Sequence, residues 1–178
     1  MKVNKMSNNK EFNQKARIDK FTLTGRIRES DVPAEGNLFL TLTTEHGSLK
    51  LECFIYGNDA YGLYNGEIKV NDLVPVEFAL LSDIDRVKKT GKNVKRIMVK
   101  TDIEYNPHRG NIDYVVCGEV LKVYSHPRSE MEKDYVRVVL DCGIYIHTTV
   151  RKHPSFKVGD YIEVEGRLDA HIIEKMDK

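Results

Sequence analysis

Apolar and polar residues alternate along most of this chain. Phe21, Leu23, Gly25 and Ile27 share one parity, and Thr22, Thr24, Arg26 and Arg28 share the other. Leu38, Leu40 and Leu42 alternate with Phe39, Thr41 and Thr43. Leu49, Leu51, Cys53 and Ile55 alternate with Lys50, Glu52, Phe54 and Tyr56. Successive side chains leave a strand on opposite sides, so this period of two predicts strands with one face buried. The intervening stretches Ser30–Gly36 and His46–Ser48 carry the residues that turns require. Val70–Leu80 reads as a fourth strand and Val94–Ile103 as a fifth, with a charged loop over residues 82–93 between them. Asn58–Glu67 holds a short helix or a loop. Five strands of this kind are enough to close a small barrel.

Beyond Pro107–Gly110 the pattern starts again. Leu23-Thr-Gly-Arg-Ile27 and Val116-Cys-Gly-Glu-Val120 are both apolar-x-Gly-charged-apolar. Val136–Leu140, Ile144–Val150 after an Asp141-Cys142-Gly143 turn, Tyr161–Leu168 and Ala170–Glu174 supply the remaining strands. The expected fold is all-β, two tandem five-stranded barrels with short helical or loop insertions. One unit covers residues 16–105 and the other 113–178, with a linker at 106–112 and a polar, disordered leader at 1–15.

Charge narrows the choice of ligand. Lys and Arg number 28 and Asp and Glu 27. A polyanion would therefore have to be held by a local basic surface and not by net charge. The excess of basic residues lies in the first 104 residues. It includes Arg86, Lys88, Lys89, Lys92, Lys95, Arg96 and Lys100, a run with no acid between its members. Cys53, Cys117 and Cys142 form no CxxC pair and sit in apolar runs, as buried free thiols of a reducing compartment do. No stretch reaches the ~20 apolar residues of a membrane span, so the expected location is the cytoplasm.

Catalytic motifs are absent from the sequence. His46, His108, His126, His147, His153 and His171 have no metal-ligand spacing, and Asp83 and Asp85 are read as solvated loop carboxylates. No metal, cofactor or catalytic residue is expected.

Strand register then places candidate binding residues. With the leucines inside, Phe39, Phe54 and Tyr56 point outward beside Arg26, Arg28 and Lys50. Rings stack on unpaired bases, at about 1–3 kcal/mol each by truncation, and cations hold phosphates. The basic run Arg86–Lys100 is expected to flank that face. Tyr135, Arg137, Tyr145, His147 and Arg151 share the outward parity of the second unit. Alternatively, other parts of the chain cover these rings, or the rings dock a protein.

Particular strings resemble a known family. Lys157-Val-Gly-Asp-Tyr-Ile-Glu-Val-Glu-Gly-Arg-Leu168 resembles the fourth-strand signature of bacterial and phage single-stranded DNA-binding proteins. Lys133–Leu140 resembles the strand before it, Phe21–Ile27 the first strand, and Phe54–Ala60 the third strand with the entry to a helix. Trp, a common stacking residue of that family, is absent. The tandem arrangement is closer to replication protein A-type chains. The resemblance implies OB-fold barrels and a non-catalytic role in binding and protecting single-stranded DNA, or RNA, during replication or recombination. The partners it implies are the nucleic acid, replication or recombination proteins, and a second copy of the chain.

Overall fold

The computed structural model describes residues 21–31, 36–44, 47–82, 86–100, 113–124, 134–152 and 155–173. The expected leader and linker lie outside the described residues. Among the described residues the regular structure is all β apart from one helix. Its strands are β1 (Leu23–Asp31), β2 (Gly36–Thr44), β3 (Gly47–Ile55), β4 (Leu73–Ser82), β5 (Lys88–Lys89), β6 (Arg96–Val99), β7 (Asp113–Tyr124), β8 (Tyr135–Asp141), β9 (Tyr145–Arg151) and β10 (Tyr161–Ile172). The helix α1 (Gly57–Tyr64) takes the place where a helix or loop is expected.

The alternation gives the correct faces. Leu38, Leu40, Leu42, Leu51, Cys53 and Ile55 are all buried, while Phe39, Thr41, Lys50, Phe54 and Tyr56 are half-buried or exposed. One contiguous core runs from Ile27 and Leu40 through Phe78 to Leu140, Ile146 and Leu168.

The pairings correct which segment serves as the fifth strand of the first unit. β1 pairs with β2, β2 with β3 and β4 with β1, all antiparallel. The strand beside both β3 and β4 is β10, parallel to β3 and antiparallel to β4. Within the segment expected as the fifth strand, 94–103, Arg96–Val99 forms β6 instead and pairs with β7 of the second half. The second half mirrors the first. β7 pairs with β8, β8 with β9 and β10 with β7, and β4 lies parallel to β9. Two cycles result, β1–β2–β3–β10–β4 and β7–β8–β9–β4–β10, and both use β4 and β10. The expected break between Leu168 and Ala170 is absent, because β10 runs through both cycles as one strand.

A local repeat explains the symmetry. Lys69-Val-Asn-Asp-Leu-Val-Pro-Val-Glu77 and Lys157-Val-Gly-Asp-Tyr-Ile-Glu-Val-Glu165 align without a gap and share Lys, Val, Asp, Val and Glu at the same positions. Each opens on the same turn. Asp72 Oδ2 accepts from the Lys69 N–H at 2.9 Å, and Asp160 Oδ2 from the Lys157 N–H at 3.0 Å. Asn71 and Gly159 both hold positive φ, at 76° and 89°, a conformation that Gly and Asn tolerate best. The N–H of Ile27 bonds the Asp72 carbonyl, and that of Val120 bonds the Asp160 carbonyl. The register breaks after Ile27 in β1 and after Val120 in β7. The symmetry passes through the Leu80–Leu168 pair, where β4 and β10 cross.

Aromatic residues that precede or open β1 and β7 tie the halves together. Phe21 packs edge-on against Tyr145 and His147, at ring distances of 5.4 and 6.0 Å. Its counterpart Tyr114 crosses the other way. The Tyr114 hydroxyl accepts from the Glu52 N–H and donates to the Glu52 carbonyl, both at 3.0 Å. Burial pushes the Tyr114 phenol up to about 12, so it stays a neutral donor at any physiological pH.

Candidate nucleic-acid interface

Cross-strand register builds one row over four strands, Leu73–Arg26–Thr41–Lys50 on β4, β1, β2 and β3. Arg26 Nη1 donates to the Asn71 carbonyl at 2.8 Å, and Arg28 Nε donates to Thr41 Oγ1 at 3.2 Å. These bonds aim the guanidiniums along the face and leave N–H groups for a ligand. The row borders an open groove of about 370 Å³ lined by Thr24, Arg26, Arg28, Thr41, Thr43, Ser48 and Leu73. No acid is among its described lining residues, whose charged side chains are Arg26 and Arg28, and its hydroxyls donate as well.

The expected aromatic face divides in two. Phe39 stands half-buried one row from the arginines, opposite Glu52. Burial pushes the Glu52 carboxyl up from its ordinary value. Phe54 lies further along β3, against Asp169 of β10. The Arg167 guanidinium covers its ring at 4.0 Å from the centroid. Arg167 is fixed in turn by Asp169, through bonds of 2.6 and 3.0 Å. One face of Phe54 is therefore taken, and that ring is not an open platform. Tyr56 is 41 % exposed and is the freer ring. It lies 5.9 Å from Phe54 and meets the His171 edge at 5.4 Å.

The basic run lies elsewhere. Lys88 and Lys89 form β5, beside Glu163 and Ile162 of β10. Arg86 is 3.7 Å from Glu165, Lys89 3.2 Å from Asp160, Lys95 2.6 Å from Asp141 and Arg96 3.0 Å from Glu163. Lys92 is exposed. The acids that neutralise this run come from β8, β10 and the turn that leads into β10, far along the chain, and the run does not flank the β1–β2–β3 face as expected.

The second half presents its candidates differently. His147 is buried and Tyr145 half-buried, both against Phe21, so neither forms the expected outward platform. Tyr135 pairs with Arg151 across β8 and β9. Arg137 is exposed near the Tyr124 ring, at 6.0 Å, with Lys122 over the same ring at 4.4 Å. This small cation–aromatic cluster is the part of the second surface that keeps the expected chemistry.

Arg167, Asp169 and His171 border the aromatic patch without being singled out by sequence, because they lie on the strand that crosses between cycles. The Lys69–Glu77 repeat in Lys157–Glu165 is the signal that marks β10 as the counterpart of β4. His171 also ties β10 to the helix. Asp59 Oδ2 accepts from the Ile172 N–H at 3.2 Å and lies 3.8 Å from His171 Nδ1. Asp59 therefore raises the His171 imidazole above its ordinary 6.5, with burial opposing. A raised imidazole pKa stabilises the fold below the unfolded value and loses that contribution as pH rises through the folded value. The denaturation midpoint is expected to drop as pH rises from the ordinary imidazole range through the raised His171 value. A His171→Gln variant should show a flatter profile over the same range, and an unchanged slope would remove His171 as the cause.

Among the described residues no group of His, Cys, Asp and Glu is placed to hold a metal. Cys53, Cys117 and Cys142 are free and buried, and burial pushes the Cys53 and Cys142 thiols up, away from nucleophilic use. No described helix is long and apolar enough to cross a membrane. No family model matches this sequence, and no curated protein matches it significantly.

Proposed function

We propose that this chain binds single-stranded nucleic acid, through two OB-type barrels that share β4 and β10. The strand order β1–β2–β3–β10–β4 supports the first barrel, and β7–β8–β9–β4–β10 the second. On this reading the units 16–105 and 113–178 are interlocked, each completed by a strand of the other. The observation that carries the function is the groove beside the Leu73–Arg26–Thr41–Lys50 row, which has two arginines and no acid among its described lining residues. It lies where an OB-fold takes oligonucleotides. Arg26, Arg28 and Lys50 hold phosphates, Thr24, Thr41, Thr43 and Ser48 donate to them, and Phe39 and Tyr56 stack on bases. Such a role needs no catalytic step. It suits protection of unpaired DNA in replication or recombination, and the three free thiols suit the cytoplasm.

Replacing Phe39 or Tyr56 with Ala is expected to weaken oligo(dT) binding by about 1–3 kcal/mol each. Their half-buried or exposed positions should leave far-UV circular dichroism unchanged. Unchanged affinity in both variants would take stacking out of the account. Titrating DNA and RNA oligomers of equal length side by side decides between the two nucleic acids.

One observation favours a second reading, a protein-docking role. Tyr61 and Tyr64 on α1 are 62 % and 65 % exposed and lie 6.4 Å apart. Exposed aromatic pairs of this kind anchor protein contacts. Light scattering with and without oligo(dT) separates the readings, since self-association lost on Tyr61→Ala but indifferent to oligo(dT) belongs to the second.

A further inference from the structure

The duplication gives two equivalent faces, and they differ in what covers them. On the first, Leu73, Arg26 and Thr41 line an open groove that no described segment covers, with Lys50 next in the row. On the second, Tyr161–Glu119–Asp141–Tyr145 occupies the same register. Asn93–Lys100 lies against this second row. Lys95 Nζ meets Asp141, at the place of Thr41, at 2.6 Å. Arg96 Nε meets Cys117 Sγ, at the place of Thr24, at 3.2 Å, and its Nη2 donates to Glu163 at 3.0 Å. The Tyr161 hydroxyl, at the place of Leu73, donates to Glu119, at the place of Arg26, at 3.0 Å, and Asn93 Oδ1 lies 3.4 Å from it. Lys100 closes the far end on Glu165 at 2.6 Å. Between these contacts Arg96–Val99 pairs in register with Tyr114–Cys117 of β7.

We propose that Asn93–Lys100 is a built-in strap that closes the second of two duplicated binding faces, so that the chain takes single-stranded nucleic acid on the first face alone. The nucleic-acid half of this inference rests on the function proposed above; the seating of the strap does not. The sign of the two rows decides the division. Where the first face offers Arg26 and Lys50 to a phosphate chain, the second offers Glu119 and Asp141, which repel one. The cations of the strap answer those carboxylates and those of β10. Lys95, Arg96 and Lys100 therefore hold the protein's own strands and do not contact nucleic acid.

Two measurements test it. Native mass spectrometry of the unmodified chain with an oligo(dT) of about eight nucleotides, a length within one OB-fold site, should give one oligonucleotide per chain at saturation. Two per chain would overturn the closed second face, whereas none would overturn the nucleic-acid reading itself. Hydrogen exchange on a Lys95→Ala/Arg96→Ala/Lys100→Ala variant should show the Arg96–Val99 amides exchanging at least tenfold faster, with β2 and β3 unchanged. Unchanged exchange at Arg96–Val99 would overturn the seating of the strap.

Discussion

Reversing Arg26, Arg28 and Lys50 together to Glu is expected to weaken oligo(dT) binding by roughly 100-fold or more at low salt. The same change should flatten the dependence of log affinity on log salt by about 2, since each phosphate contact on a single strand contributes about 0.7 to that slope. The reasoning is geometric. The three side chains stand on one face of β1, β2 and β3, and Arg26 and Lys50 sit in one cross-strand row with Thr41 between them. Their ties to the fold are slight, a carbonyl for Arg26 and a threonine hydroxyl for Arg28. The variant should therefore keep its circular dichroism and its denaturation midpoint. Lys95→Glu offers the contrast, because Lys95 is 2.6 Å from Asp141 on the other half. That change should cost stability and leave affinity alone. Equal loss of binding in both variants would put the strand of nucleic acid somewhere other than the β1–β2–β3 face.

Cutting the chain after residue 105 is expected to leave the first half unfolded. That fragment keeps β1 to β4 but loses β10, and with it the pairing from Leu168–Leu80 to Ile172–Val76. Phe78 and Leu80, both buried, would face water along the missing strand. Mixing the fragment with residues 106–178 should restore the native circular dichroism. In the full chain, Leu168→Ala should cost about 2–5 kcal/mol. It should also lower the stability of β1–β3 amides to exchange as much as that of β7–β9, because Leu168 sits on the axis between the cycles. A stably folded 1–105 fragment would contradict the shared strands. So would two separate denaturation transitions in the intact chain.

Much of this architecture was legible in local pattern. Leu38, Leu40 and Leu42 against Phe39, Thr41 and Thr43 state their own faces, since period-two alternation is a property of neighbouring residues. The same alternation is silent about which strand closes a cycle. Val94–Ile103 is the strand that alternation offers after β4, yet β10 takes the place, and only the Lys69–Glu77 repeat in Lys157–Glu165 records the equivalence. Charge was misleading for a related reason. Arg86–Lys100 has no acid in its own stretch, but Asp141, Glu163 and Glu165 reach it from 46, 67 and 65 residues away. Phe54 alternates outward as expected, and what roofs it, Arg167, belongs to a strand more than a hundred residues later. Tyr145 and His147 likewise follow the outward parity and are covered by Phe21, whose position ahead of β1 gives no hint of the crossing.

The most direct test of a nucleic-acid site on the open basic face is an anisotropy titration of the unmodified chain with labelled oligo(dT), at low and at physiological salt, against duplex of the same length. Saturable binding to the single strand, weaker at the higher salt and weaker still to duplex, is the predicted result. No binding to the single strand at low salt would contradict it.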